Sequence, residues 1–507
     1  MHRGLSRQRG SVWFPDPGKK EVREMILRKA AMSDLDALCA LYADVCSSME
    51  AEGLHQWHFG TYPSRQTLTE DIERGELYCA DGAEGPAMAV TVSERGMDCF
   101  EQVNWLFGRH PGYFYRVCVH PGMQDQGYGT KVLEEAEDML RDRGCDCVRC
   151  DVYQDNTLAL RLFDRRGMRT SGRLVLRGRP RESLCLEKPL TSDCALLPLR
   201  MHPAFRGGSL TPWGGSKLMS VYQKPIVDIP TGESLEASCV KDLNSRDDAG
   251  VELGELVKKY GAPFAGKYAE RPFPLLLKLI DAREQLSVQV HPDDAYAGEH
   301  EQGKLGKTEA WLILDAPEGS QLVYGIRENV TLDELREACR QGKAVEKLLR
   351  YVDVRPGDVC YIPAGCVHAI GAGIMLYEIQ QSSDITYRFY DWDRVDRTGK
   401  RRELHLDKAL DVTRLDLRLD PVPAPEAELV RVLDKTYFTL DLIRSRERVE
   451  LPEITDFGFL TCLEGDIRLC WDGASLPVKK GETFYVPCAA PHLWVEGEGR
   501  AALAMPR

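Results

Sequence analysis

Two stretches of the chain repeat one pattern: RPGDVCYIPAGCVHAI at 355–370 and KKGETFYVPCAAPHLW at 479–494. Gly357, Tyr361, Pro363 and His368 are matched at the same intervals by Gly481, Tyr485, Pro487 and His492, and an acidic residue follows each glycine. Four coincidences at fixed spacing, displaced by 124 residues, mark two copies of one small β-barrel domain, so two jelly rolls are expected. The copies differ upstream. The first follows QLSVQVHPDDAYAGEHEQGKLGKTEAWLIL (285–314), whereas the second follows FGFLTCLEGDIRLCW (457–471), which has no histidine. His492 is therefore expected to pack or hydrogen-bond, and the second copy to be a metal-free support.

The 285–314 stretch carries the chemistry. Leu286, Val288 and Val290 alternate with Ser287, Gln289 and His291, which reads as a strand with Gln289 and His291 on one face. Lys307 and Glu309 share a face of the next strand by the same arithmetic. With His368 from downstream, these donors make a zinc or iron shell. Such a shell supplies one negative charge against two positive ones on the metal, and Lys307, together with Arg388 in SSDITYRFYDWD, adds to the excess. A positive site in a chain of net charge −13 suggests a phosphorylated substrate, while that overall charge argues against nucleic acid or an anionic membrane as partner.

At 507 residues the chain is long enough for two to four domains. Residues 1–20 are polar and rich in Arg, Gly and Pro, and are expected to be a disordered tail without a signal peptide. The seventeen cysteines are then reduced thiols of a cytoplasmic protein, with Cys145, Cys147 and Cys150 buried in a strand rather than holding zinc. A helix is expected from Ser33, with Ser33 as its cap. YFYRVCVHP reads as a strand that runs into GMQDQGYGTKVLEEAEDMLRDRG, where Val132, Leu133, Ala136, Met139 and Leu140 form one helical face that ends at Gly144. A glycine turn between strand and helix, Gly127-x-Gly129, bares backbone N–H groups at a positive helix end, which is a phosphate cradle in physical terms.

That context, Gln124-x-x-Gly127-x-Gly129 after VCVHP, then CVRCDVYQ, then Asn156 opening a helix that ends at Arg166-Gly167-Met168, resembles the GNAT superfamily of acetyl-CoA-dependent N-acetyltransferases over about residues 21–190. The resemblance implies that Gln124, Gly127, Tyr128, Gly129 and Thr130 hold the acetyl-CoA pyrophosphate, that Val117 and Val119 flank the pantetheine arm, and that Asn156 contacts the cofactor. Phe163 stands where many members carry a tyrosine general acid. Glu101 and Asp151 are open candidates for deprotonating an amine acceptor.

QVHPDD, GKTEAW, IPAGCVHAI and YEIQQSSDITYRFYDWDR together resemble type I phosphomannose isomerase over about residues 197–507. The resemblance implies zinc held by Gln289, His291, Glu309 and His368, interconversion of mannose 6-phosphate and fructose 6-phosphate, and a substrate pocket containing Lys307, Glu378, Asp384 and Arg388. The expected protein is thus multidomain: an α/β GNAT domain with a mixed sheet and flanking helices (21–190), a linker (191–207), and an all-β double jelly roll of cupin type with a few helices, divided into a metal-binding domain (208–425) and a metal-free one (426–507). Two other readings of the same residues stay open. A non-haem iron oxygenase would use two histidines and a glutamate, and a sugar-phosphate sensor could sit beside an active acetyltransferase.

Overall fold

Both repeat glycines turn the chain through the left-handed region, with φ 93° at Gly357 and 83° at Gly481, a conformation that favours glycine. Each turn hands the chain to a strand that carries the repeated tyrosine, β16 (Asp358–Ile362) and β26 (Thr483–Val486). The equivalent histidines then part. His368 is buried in β17 (His368–Ala369), while the His492 side chain is 67% exposed beside Glu450 at 3.4 Å.

The computed structural model describes residues 26–176, 181–227, 230–395, 399 and 401–507; the expected tail at 1–20 lies outside them. The chain divides into two units, one formed mainly by residues up to Ser192, the other by Asp193–Arg507 with Glu101–Arg109 and Thr170–Arg173. Among the described residues no helix is long and apolar enough to cross a membrane.

A seven-stranded mixed sheet, most of it in the first unit, is made of β1 (Arg28–Lys29), β2 (Leu77–Asp81), β3 (Pro86–Ser93), β4 (Pro111–Val119), β5 (Cys147–Tyr153), β6 (Arg169–Val175) and β7 (Glu182–Pro189), in the order β1-β2-β3-β4-β5-β7-β6. Helices α1 (Leu35–Ala51), α2 (Arg65–Glu73), α3 (Tyr128–Asp142) and α4 (Thr157–Arg165) flank it. The apolar stripe of α3, Val132, Leu133, Ala136 and Leu140, is fully buried against the sheet, and each leucine contributes about 1.5–3 kcal/mol. The start of α1 differs from expectation. A 3-10 turn, Met32–Asp34, precedes it, and Asp34 rather than Ser33 accepts a backbone N–H there, from Ala31 at 2.8 Å. Cys145, Cys147 and Cys150 are buried, and among the described residues no cysteine forms a disulfide.

The second unit is built from open sheets. One runs β20-β16-β13-β18-β11-β10-β9, with β9 (Ala204–Gly207), β10 (Thr231–Ala237), β11 (Leu275–Asp281), β13 (Glu309–Asp315), β18 (Met375–Gln381) and β20 (Val422–Pro423). Another runs β15-β14-β17-β12-β19, with β12 (Val288–Val290), β14 (Gln321–Ile326), β15 (Leu349–Asp353) and β19 (Tyr387–Tyr390). The second copy contributes an eight-stranded sheet with β8 (Leu199–Met201), β21 (Leu429–Asp434), β22 (Phe438–Ser445), β23 (Arg448–Glu450), β24 (Gly458–Trp471), β25 (Ala474–Lys479) and β27 (Trp494–Pro506). Among the described residues no strand order returns to its start, so the expected barrels are layered sheets with free edges rather than closed cylinders. The stretch 191–207, expected as linker, supplies β8 and β9, which pair with β26 and β10.

Candidate metal centre and substrate pocket

Register places the site between two sheets. On the five-stranded sheet Gln289 pairs with His368 on one side and Arg388 on the other, so three polar side chains stand in a row. On the seven-stranded sheet Glu309 and Trp311 of β13 lie opposite Gln380 and Glu378 of β18, and Glu378 lies opposite Lys278 of β11. His291 follows β12 directly. The donor atoms of His291, Glu309 and His368 lie within 4.8 Å of one another, and all three residues are buried.

Their hydrogen bonds decide what this cluster can hold. His291 donates through Nδ1 to the carbonyl of Ile385 at 2.8 Å, and His368 through Nδ1 to that of Cys366 at 2.9 Å. Each Nε2 is thereby left as a lone pair, at 3.6 and 3.3 Å from the Glu309 carboxylate. Three acceptors facing one another in a dry site repel unless a cation sits among them. Lys307 supplies one in this structure, 2.8 Å from Glu309 and 3.2 Å from His291 Nε2. Gln289 Nε2 is 3.3 Å from His368 Nε2, so its carboxamide borders the same point and a turn of the amide would present its oxygen. This donor set fits zinc.

Burial holds His368 down at about 4 and His291 well below its ordinary value, so both imidazoles are neutral. Burial, with the charge of Glu378, pushes Glu309 up to about 7 against Lys307. Each histidine contributes full stability above about 6.5 and loses it as pH falls, because the unfolded chain takes the proton first. Glu309 has the opposite sign between about 4.5 and 7 and offsets one of the two. Metal-free protein is therefore expected to melt at falling temperature as pH drops from 6.5 towards 4. Thermal unfolding at several pH values checks this, and a melting temperature that rises on acidification would contradict it.

Beyond the cluster lies a pocket of about 120 Å³, lined by Lys278, Lys307, Arg206, Arg388 and Arg402 against Glu233, Glu378 and Asp384. Glu378 is buried; burial pushes its pKa up, but Lys278 at 3.0 Å and Lys307 outweigh that and hold it below the ordinary carboxylate value. Trp311 Nε1 also donates to it at 3.0 Å. Glu378 is thus a desolvated carboxylate, paired with Lys278 rather than with Arg388. Arg388 is half-buried with its Nε unpartnered, and burial and Arg402 lower its pKa. Asp384 stands at the exposed rim, 3.1 Å from Lys304. Lys278, Arg206 and Arg402 were not anticipated. Lys278 interrupts PLLLKLIDA between Leu276 and Ile280, and a lysine on the buried face of an apolar strand was the available signal. Arg206 gave none, since it sits in the presumed linker.

In the first unit β4 and β5 pair only from Pro111↔Cys147 to Tyr113↔Arg149 and then separate. The gap is a cavity of about 220 Å³, lined among others by Val117, Val119, Gln124, Gly127, Gly129, Thr130, Asn156 and Phe163. Gly127 has φ 88° and caps α3. Tyr128 differs: its ring packs in the core with Val132 and Phe163 and does not line the cavity. Asn156 caps α4 by accepting from Ala159 N at 3.0 Å, and it donates to Gln56 at 3.0 Å. Asp151 lines the cavity, whereas Glu101 is exposed and belongs to the second unit.

Residues 53–168 match the family model for acetyltransferases of the GNAT family, 223–310 that for the type I phosphomannose isomerase catalytic domain, and 430–506 that for the mannose-6-phosphate isomerase cupin domain. The mannose-6-phosphate isomerase ManA of Bacillus subtilis is 35% identical over 309 residues, 59% of this chain and 96% of its own. The mannose-6-phosphate isomerase of Streptococcus mutans is 36% identical over 283 residues, 54% of this chain and 88% of its own. The crystal structure of a Bacillus subtilis mannose 6-phosphate isomerase, 31% identical, matches with a TM-score of 0.54 over 61% of this chain and 99% of that one. An identity of this size across nearly the whole of its relatives means that the chain belongs to the type I phosphomannose isomerases, with a GNAT acetyltransferase domain N-terminal to the isomerase part.

Proposed function

We propose that the second unit interconverts mannose 6-phosphate and fructose 6-phosphate with zinc held by Gln289, His291, Glu309 and His368. The observation that carries this is the pair of imidazoles turned by Ile385 and Cys366 so that both Nε2 lone pairs meet a buried carboxylate. When bound, the metal supplies Lewis acidity for the oxyanion that develops as the C–H proton leaves. The chain's own residues do the rest. Glu378, ionised and dry, accepts the proton from one carbon and returns it to the neighbouring one, ahead of the exposed Asp384. Arg388 and Lys307 hold anionic oxygens, and Lys278 keeps Glu378 ionised and aimed. The cationic lining favours this reading over an oxygenase, whose substrate need not be anionic. Unphosphorylated mannose is accordingly expected to turn over at least about 10²-fold more slowly in kcat/KM, the value of two or so charge-assisted hydrogen bonds. Equal kcat/KM for the two sugars, read by a coupled assay, would remove the phosphate-binding role of the pocket.

The first unit is proposed to bind acetyl-CoA in the β4–β5 gap, with its pyrophosphate at the Gln124–Thr130 backbone, and to acetylate an amine acceptor in a cytoplasmic setting. Phe163 in the cavity wall offers no proton to a leaving thiolate. A Cβ on Gly129 would lie 3.0 Å from Leu162, so Gly129→Leu fills the space at the cradle. Acetyl-CoA affinity is expected to fall at least about tenfold, roughly 1.4 kcal/mol, while isomerase turnover stays unchanged. Calorimetric titration checks it, and unaltered affinity would contradict the cradle.

A further inference from the structure

The first unit contains a second group of metal-type donors, outside the cavity and on the surface. Glu50, His55 and His58 are all exposed, and their donor atoms lie within 4.8 Å of one another. Backbone geometry brings them together. Helix α1 ends at Ala51, and Gly53 at φ 78° reverses the chain, with Gly53 N–H donating to Glu50 O and Leu54 N–H to Met49 O, both at 2.9 Å. Glu50 thus stays in the last helical turn while His55 comes back beside it. Trp57 is buried and anchors the segment, and His58 is fixed by reciprocal backbone hydrogen bonds with Tyr62 at 2.9 and 3.0 Å. The two imidazole rings lie nearly parallel, 11° apart with centroids at 5.9 Å.

We propose that Glu50, His55 and His58 form a surface site for a divalent transition-metal ion of the imidazole-preferring class, such as zinc. Two ring nitrogens and one carboxylate oxygen suit zinc, copper or nickel, with water completing the shell. Magnesium and calcium demand oxygen donors and are not matched. The same segment walls the cavity: Met49, Leu54, Gln56 and Trp57 line it, and Gln56 receives the hydrogen bond of Asn156. An ion that ties Glu50 to His58 restrains this wall, so on the reading that the cavity takes acetyl-CoA, metal and cofactor each raise the other's affinity by one reciprocal factor.

The test titrates zinc into the full chain after its isomerase centre has been loaded with zinc and excess metal removed. Wild type should show one further binding event. His55→Ala/His58→Ala should abolish it, His120→Ala should keep it, and both variants should retain isomerase turnover. A wild type without the event, a double variant that still shows it, or an equal event with magnesium overturns the site. Acetyl-CoA affinity should tighten about fivefold with zinc in wild type and not in the double variant; equal tightening or none in both overturns the linkage. Acetyl-CoA that binds under no condition removes the cofactor reading and the linkage with it, and the zinc heats alone then decide the metal site.

Discussion

Glu309→Ala is expected to abolish isomerisation and metal retention together. Among the described residues the carboxylate is the one anionic donor between two neutral imidazoles, and no other carboxylate there is placed to meet both Nε2 atoms. Losing the Lewis acid removes several kcal/mol of transition-state stabilisation, so kcat/KM should fall by about 10³-fold or more. The second readout is metal content after gel filtration, which should drop in parallel. Acetyl-CoA binding should be unchanged, because Val117, Gln124 and Gly127 belong to the other unit. A variant that keeps its metal and its rate would place the ligands elsewhere.

Glu378→Gln should separate chemistry from metal binding. The amide oxygen can still accept from Trp311 Nε1, and the change in volume is slight, but the proposed proton acceptor is gone. A loss of about 10²–10⁴-fold in kcat with metal content unchanged is expected. The buried Lys278 ammonium also loses its 3.0 Å partner, although Glu233 at 3.7 Å remains, so some fall in melting temperature should accompany the kinetic loss. Turnover within tenfold of wild type would move the proton transfer to another group. Asp384, exposed and bound to Lys304, would be the next variant.

Much of this centre was legible because strands expose alternate residues to one face. Gln289-x-His291 and Lys307-x-Glu309 share faces by parity alone, and the repeat fixed the place of His368. Parity could not show which strands become neighbours. Arg388 stands beside Gln289 and Lys278 beside Glu378 through pairings between residues about 100 apart in sequence. The open edges of the sheets were hidden for the same reason, since closure depends on pairing and not on pattern. In the first unit, glycines and Asn156 signalled the cavity wall, yet Tyr128 turned to the core. A residue that opens a helix after a left-handed glycine can aim its side chain inward while its backbone faces the gap. The strands at 199–207 were missed because TSDCALLPLRMHPAFRGG lacks the β alternation that pairing with β26 and β10 later supports.

The central claim is best tested by conversion of mannose 6-phosphate to fructose 6-phosphate with the purified chain as isolated, after chelation, and after zinc is restored. Activity that disappears with the chelator and returns with zinc is the predicted result. Activity that persists without metal, or that never appears although metal is bound at His291, Glu309 and His368, would contradict it.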